Sequence, residues 1–429
     1  MSARAVFNRL AGALTLVTLC GATSVALAQS AQTQIKPLSG DLANYDYPYP
    51  VQNYDFTSQR DQVHMTYMDV QPLTANGKVA LLLHGKNFCS DYWQSTIQHL
   101  TRAGYRVIAP DQIGFCKSSK PENYQYSLAQ LAENTHALLD SLQVNQVTVI
   151  GHSMGGMLAM RYALMYPKSI DKLVLVDPIG LEDWLAKGVP YQTIDQWYAH
   201  TRKTDFASIK AYQMANYFGG QWNDDFAKWA KVQAGMYKGP DADKVAWAAA
   251  KTYDMIMTQP VVHQLEDIHV PTTLIIGQAD TTAVGKNFAT ERVQKTLGNY
   301  RKLGAEAADA IPDATLIRLP GLGHLPQIQA PDQFFPALDQ ALGIQGTAPA
   351  GAGSTAPATP ASVPAAASSA SAPAASAAKP ASDSQNDKAL NQVMEHNATD
   401  RTMDQFGHMP AASSSAAPAS TPATPSSGG

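Results

Sequence analysis

One short stretch carries residue types and spacing suited to nucleophilic catalysis: Gly151-His152-Ser153-Met154-Gly155-Gly156. A serine hydroxyl is a weak nucleophile near neutral pH, so an imidazole must take its proton and later return it to the leaving group. The glycines serve geometry. A serine in a sharp strand-to-helix turn presents its hydroxyl above a sheet, and side-chain-free residues at Gly151 and Gly155 let strand and helix approach closely. The same stretch lacks the Gly-x-Gly-x-x-Gly spacing that a pyrophosphate needs, so dinucleotide binding is not expected. His64, His99, His200, His263 and His269 have no metal-like spacing, and neither a metal site nor a cofactor is expected.

That turn requires a strand before it and a helix after it. Val147 to Ile150 (VTVI) and Met154 to Met165 supply them. Val79 to His84, Arg106 to Pro110, Leu173 to Val176 and Thr273 to Ile276 are further short apolar runs rich in β-branched residues, the form of strands buried on both faces. Ser127 to Leu142 reads as a helix with a serine N-cap. The alternation predicts an α/β fold, a mainly parallel central sheet flanked by helices. Val63 to Val70 reads as an antiparallel leading strand and Thr315 to Leu319 as the last one. Between Ile179 and Asp267 the rhythm stops; aromatics such as Trp184, Trp197, Tyr217, Trp222 and Trp229 mark a helical insertion. Packing explains most of these rings, with a minority lining an apolar pocket.

With these motifs in place, residues from about Val63 to Leu342 resemble the α/β-hydrolase family. His84-Gly85-Lys86 follows a strand, Asp280 follows the strand ending at Ile276, and His324 lies in Gly321-Leu322-Gly323-His324 beyond the last strand. The order Ser, Asp, His is the one used by this fold. The resemblance implies Ser153 as nucleophile, His324 as general base and Asp280 as the carboxylate that fixes the imidazole tautomer. It implies an oxyanion hole from the amides of Lys86 and Met154, with His84 and Gly85 supporting the loop. Asp177 and Asp183, which follow the preceding strand, are rivals for the acid. Dehalogenases and epoxide hydrolases of this fold use an aspartate nucleophile, so neither chemistry is expected of Ser153. The insertion falls where the family places a helical cap. The resemblance also brings the loops of Cys89 and Cys116 to one edge of the sheet, implying a disulfide.

The chain of 429 residues is 45% hydrophobic but only 15% charged, against a usual charged share of about 25%. With a net charge of -4, it lacks the basic balance of a nucleic-acid binder. Residues 1–28 read as an export signal: Arg4 and Arg9, an apolar stretch, then Ala26-Leu27-Ala28 before Gln29. An uncleaved anchor is the rival, and a lipid on Cys20 is disfavoured by Leu19 before it. The mature protein is then periplasmic or secreted, without an integral span. Residues 29–62 read as an N-terminal extension, 63–344 as the hydrolase domain with its cap at 178–267, and 345–429 as a disordered Ala, Pro, Ser and Thr-rich tail. Within the tail, Asp383 to Met409 is a candidate short helix, and envelope contact is one use for such a segment.

The expectation is an exported serine hydrolase that cleaves a small-molecule carboxylic ester, apolar or aromatic, through an acyl-enzyme. An amidase, peptidase or carbon-carbon bond hydrolase would use the same three residues. A non-catalytic binding or wall-associated protein on the same fold is the alternative of another class.

Overall fold

The computed structural model describes residues 35–344. The candidate export signal, the tail and its Asp383 to Met409 island lie outside the described residues. Eight strands form one sheet in the order β1-β2-β4-β3-β5-β6-β7-β8. They are β1 (Val51–Ser58), β2 (Asp61–Val70), β3 (Val79–Leu83), β4 (Arg106–Pro110), β5 (Val147–His152), β6 (Ile170–Val176), β7 (Thr272–Gly277) and β8 (Ala314–Leu319). β2 pairs antiparallel with β1 and β4; every pairing from β4 to β8 is parallel.

The apolar runs make the central strands two-sided. Leu81, Leu83, Val149, Leu173, Leu175, Leu274 and Ile276 point into one core, and Ala80, Leu82, Ile150, Val174, Val176 and Ile275 into the other. Helices α1 (Gln94–Arg102), α2 (Leu128–Ser141) and α3 (Met154–Met165) alternate with these strands. α2 and α3 cover the first face through Leu131, Leu138, Leu158 and Tyr162, while α1 covers the second through Ile97 and Leu100. Ser127 caps α2, its hydroxyl accepting from the Gln130 amide. The mainly parallel, helix-flanked sheet is the fold class that the alternation predicts.

The start of the sheet differs from the expectation. β1 lies inside the stretch read as an extension, so the sheet begins at Val51 rather than Val63. Its sequence, VQNYDFTS, is polar because it is an edge strand with mostly exposed residues. The hairpin turn carries Gln59 and Arg60 at φ 51° and 71°, left-handed conformations for which Asn-Gly is the usual signal. Upstream of β1, Leu38 and Leu42 are buried, and Tyr47 donates to the Asp111 carboxylate at 2.6 Å. Residues 35–50 therefore pack onto the body.

Between β6 and β7 lie four helices of eight residues or more: α4 (Ile194–Arg202), α5 (Phe206–Asn216), α6 (Asp224–Lys238) and α7 (Ala242–Thr258). No strand interrupts this insertion. Its rings mostly meet one another: Trp197 stacks on Tyr253 at 4.5 Å and Phe218 on Phe226 at 3.8 Å between centroids. Two further helices, α8 (Tyr300–Ala310) and α9 (Pro331–Leu342), complete the flanks. Cys89 and Cys116 are joined by a disulfide with Cα atoms 5.6 Å apart. Closing a loop of sequence separation 27 contributes about 3.5 kcal/mol in the chain-entropy model. Among the described residues no helix is long and apolar enough to cross a membrane.

Candidate active site

The β5–α3 turn is as tight as its glycines imply. Ser153 sits at φ 56°, ψ -120°, a conformation rarely held by a residue with a side chain unless its surroundings enforce it. The enforcement is steric. A Cβ on Gly155 would come 2.0 Å from the Leu83 carbonyl oxygen, and one on Gly151 would come 2.3 Å from that of Gly155. β3, β5 and α3 thus close around the serine only because both positions lack a side chain.

Beyond the ends of β7 and β8, two further groups reach this turn. His324 Nε2 lies 2.8 Å from Ser153 Oγ, and His324 Nδ1 lies 2.7 Å from Asp280 Oδ2. The second oxygen of Asp280 accepts from the Thr282 amide at 2.8 Å. All three residues are buried. With Nδ1–H donating to the carboxylate, Nε2 is left to accept the serine proton. The structure therefore brings Ser153, His324 and Asp280 into one hydrogen-bonded line.

The rival acids lie elsewhere. Asp183 faces His263, 2.9 Å away. Asp177 is buried but accepts from the Gly277 amide at 2.8 Å, and its other oxygen has no partner among the described residues. Burial, reinforced by the charge of Asp280, pushes the Asp177 carboxyl pKa well above its ordinary value.

The loop after β3 lies against the turn. A Cβ on Gly85 would stand 3.2 Å from Ser153 Cβ, which places the following amide, that of Lys86, beside the serine. The Met154 amide opens α3 and has no intrahelical acceptor. His84 holds the loop: its Nδ1–H donates to the Gly85 carbonyl at 2.9 Å, and its Nε2 accepts from the Gln112 amide at 3.0 Å. Burial lowers its pKa, in keeping with a neutral ring.

Two contributors are not visible in the sequence pattern. His152, which reads as an elbow position open to many residues, donates from Nε2 to the His324 carbonyl at 2.7 Å. Its Nδ1 accepts from the Tyr92 hydroxyl at 3.0 Å, and that hydroxyl accepts from the Gly85 amide at 3.3 Å. One buried chain thus ties the Gly85 loop to the His324 loop. From the insertion, the Tyr217 carbonyl accepts from the His324 amide at 2.9 Å, and the Tyr217 ring lies 4.7 Å from the imidazole. No local motif marks Tyr217, because its contact spans more than a hundred residues. Among the described residues no group of three or more His, Cys, Asp or Glu is placed to hold a metal ion.

The chain is similar in structure to a solved protein and in sequence to curated ones. A crystal structure of a probable hydrolytic enzyme from Pseudomonas aeruginosa is 55% identical, with a TM-score of 0.71, covering 72% of this chain and 99% of that one. A lipase of Psychrobacter immobilis is 28% identical over 278 residues, 60% of this chain and 76% of the lipase. An uncharacterised protein of Mycobacterium tuberculosis is 37% identical over 109 residues; the match spans only 31% of that protein's length and 25% of this chain. The family model of the α/β hydrolase fold matches residues 79–331, more than half of the 429, and the chain belongs to that family.

Proposed function

We propose that this α/β hydrolase is an exported serine hydrolase that cleaves a small-molecule carboxylic ester through an acyl-enzyme. The observation that carries the proposal is the line from Ser153 Oγ through His324 to Asp280, at 2.8 and 2.7 Å. Ser153 attacks the carbonyl as Nε2 of His324 takes its proton. The Asp280 carboxylate stabilises the imidazolium, which then returns the proton to the departing alcohol. The amides of Lys86 and Met154 meet the developing oxyanion, where one such donor is worth about 2.7 to 4 kcal/mol. Water repeats the sequence on the acyl-enzyme and releases the acid.

Export is supported by the Arg4, Arg9 and Ala26-Leu27-Ala28 pattern, and by a disulfide, which persists in oxidising compartments. An aryl or other apolar ester has less support than the reaction itself, since most insertion rings pack on one another. A fluorophosphonate probe tests the nucleophile. The purified protein is expected to label, and Ser153→Ala to lose the label; labelling of the variant at the parent level would remove Ser153 from its role.

A further inference from the structure

The proposed ester chemistry uses only the backbone of Lys86, yet its side chain occupies an unusual place. The residue is only half-buried, and its side chain lines a recess while its ammonium end packs against ring faces. Nζ lies 3.8 Å from the centroid of the Tyr253 ring on α7 and 5.8 Å from that of Phe115. It donates to no oxygen among the described residues. Burial alone, with no carboxylate nearby to oppose it, pulls its pKa down to about 7.

The recess is narrow and bordered by Lys86, Asn87, Phe115, Lys120, Gln233 and Tyr237, with no Asp or Glu on its wall. Lys120 is a second buried lysine, whose Nζ donates to the Cys116 and Ser118 carbonyls. Gln233 and Asn87 add amide groups to the same wall, joined by a 3.1 Å hydrogen bond. Ring faces compensate a desolvated ammonium only in part, and with no counter-ion beside it the amine sheds its proton more readily than a lysine in water. Core packing alone would be better served by an apolar residue at this position. A ligand that brings negative charge offsets the desolvation and keeps the amine protonated.

The recess also has the right address. Lys86 follows Gly85, and a Cβ on Gly85 would come within 3.2 Å of Ser153 Cβ. Ser153 is not on the recess wall, but the Lys86 ammonium is one side chain's length from the backbone amide proposed to meet the oxyanion. That length sets how far a group seated against it stands from the carbonyl under attack. We infer that the recess binds a carboxylate carried by the substrate, so that the ester cleaved at Ser153 bears an acidic group close to the scissile carbonyl. This inference rests on the serine-hydrolase proposal and narrows its substrate class.

The test compares charged and neutral partners of matched length on the purified mature protein. On the acyl side these are the p-nitrophenyl monoesters of succinic, glutaric and adipic acid against the same compounds capped as methyl esters. On the alcohol side they are butanoyl esters of hydroxybenzoic acids against those of the methyl hydroxybenzoates. We expect kcat/KM to favour the carboxylate at least ten-fold in one series. In Lys86→Met that ratio falls to one or below, and in Lys86→Arg it is partly kept. Each ratio is taken within one preparation, so partial misfolding of a variant cancels. A parent ratio at or below one in both series, absence of turnover in both, or a ratio unchanged by Lys86→Met would overturn the carboxylate site. Fluorophosphonate labelling of the same preparations separates the two claims: label without a carboxylate preference sinks this inference alone, whereas absence of label sinks the serine-hydrolase proposal beneath it.

Discussion

The sheet and the insertion between β6 and β7 meet at His324, and they hold it in different ways. From the sheet come short, directed hydrogen bonds: Asp280 to Nδ1, Ser153 to Nε2, and the Gly85–Tyr92–His152 chain to the backbone carbonyl. From the insertion come a single directed bond, the His324 amide donating to the Tyr217 carbonyl, and otherwise ring faces, with Phe218 stacked on Phe226 and Trp197 on Tyr253. Directed bonds fix atoms to within a few tenths of an ångström, while ring packing tolerates shifts and substitutions. The proposed reaction is therefore invested in the strand ends. On that proposal, substrate choice is left to the softer layer and to the recess, whose wall is shared by the two regions.

The largest test of this division sets two buried carboxylates of the sheet side by side. Asp280→Asn is expected to lower kcat by about 10⁴, because an amide cannot hold the imidazole in the tautomer that accepts the serine proton. Asp177→Asn, one strand away, is expected to change kcat by less than about three-fold and to stabilise the fold. Its amide oxygen can still accept from Gly277, and no carboxyl has to be kept neutral. The sign follows from the raised pKa: above about pH 4 the unfolded chain releases this proton while the folded one retains it, so stability falls as pH rises through that window. Asp177→Asn removes the loss, which urea unfolding at pH 7 would reveal. Equal damage from both substitutions would mean that the two carboxyls act as a pair.

How much of this was legible in the sequence follows the same division. The strands from β3 to β7 announce themselves because burial on both faces demands continuous apolar runs. The turn around Ser153 is marked by Gly151 and Gly155, whose absent side chains are a steric necessity that local spacing records. β1 left no such mark: an exposed edge needs no apolar pattern, and Gln59 and Arg60 make a left-handed turn without glycine. His152 and Tyr92 are also silent, since a buried hydrogen-bond chain between loops leaves no periodicity. The insertion reads as helical and aromatic, but which ring faces His324 depends on packing among four helices.

A smaller effect probes the hydrogen-bond chain. Burial pushes the His152 pKa well below its ordinary value, so the folded protein keeps the ring neutral as the unfolded chain begins to protonate below about pH 6.5. Its contribution is then lost as pH falls, at up to about 1.4 kcal/mol per pH unit. Asp91, raised to about 7 chiefly by burial, acts in the opposite sense over the same range, so the parent's total slope is not the observable. The difference from His152→Gln is. Glutamine can accept from Tyr92 and donate to the His324 carbonyl without titrating, and its stability relative to the parent is expected to improve steadily from pH 7 to pH 5. Parallel curves would show that His152 is not held neutral, and would loosen the picture of a fixed sheet side.

The smallest effect comes from the insertion itself. The Tyr217 hydroxyl accepts from the Asn87 side chain at 3.0 Å, a bond from the insertion to the loop that carries the Lys86 amide. Tyr217→Phe removes it while leaving the ring against His324 and the carbonyl on the His324 amide. One lost hydrogen bond of this kind costs on the order of 1 kcal/mol, so kcat/KM is expected to fall about five-fold with the Ser153 labelling rate little changed. A hundred-fold loss with slowed labelling would place part of the catalytic alignment in the insertion and erase the contrast with the sheet. An unchanged kcat/KM would sharpen it, leaving the insertion to act through ring faces and the Tyr217 backbone alone.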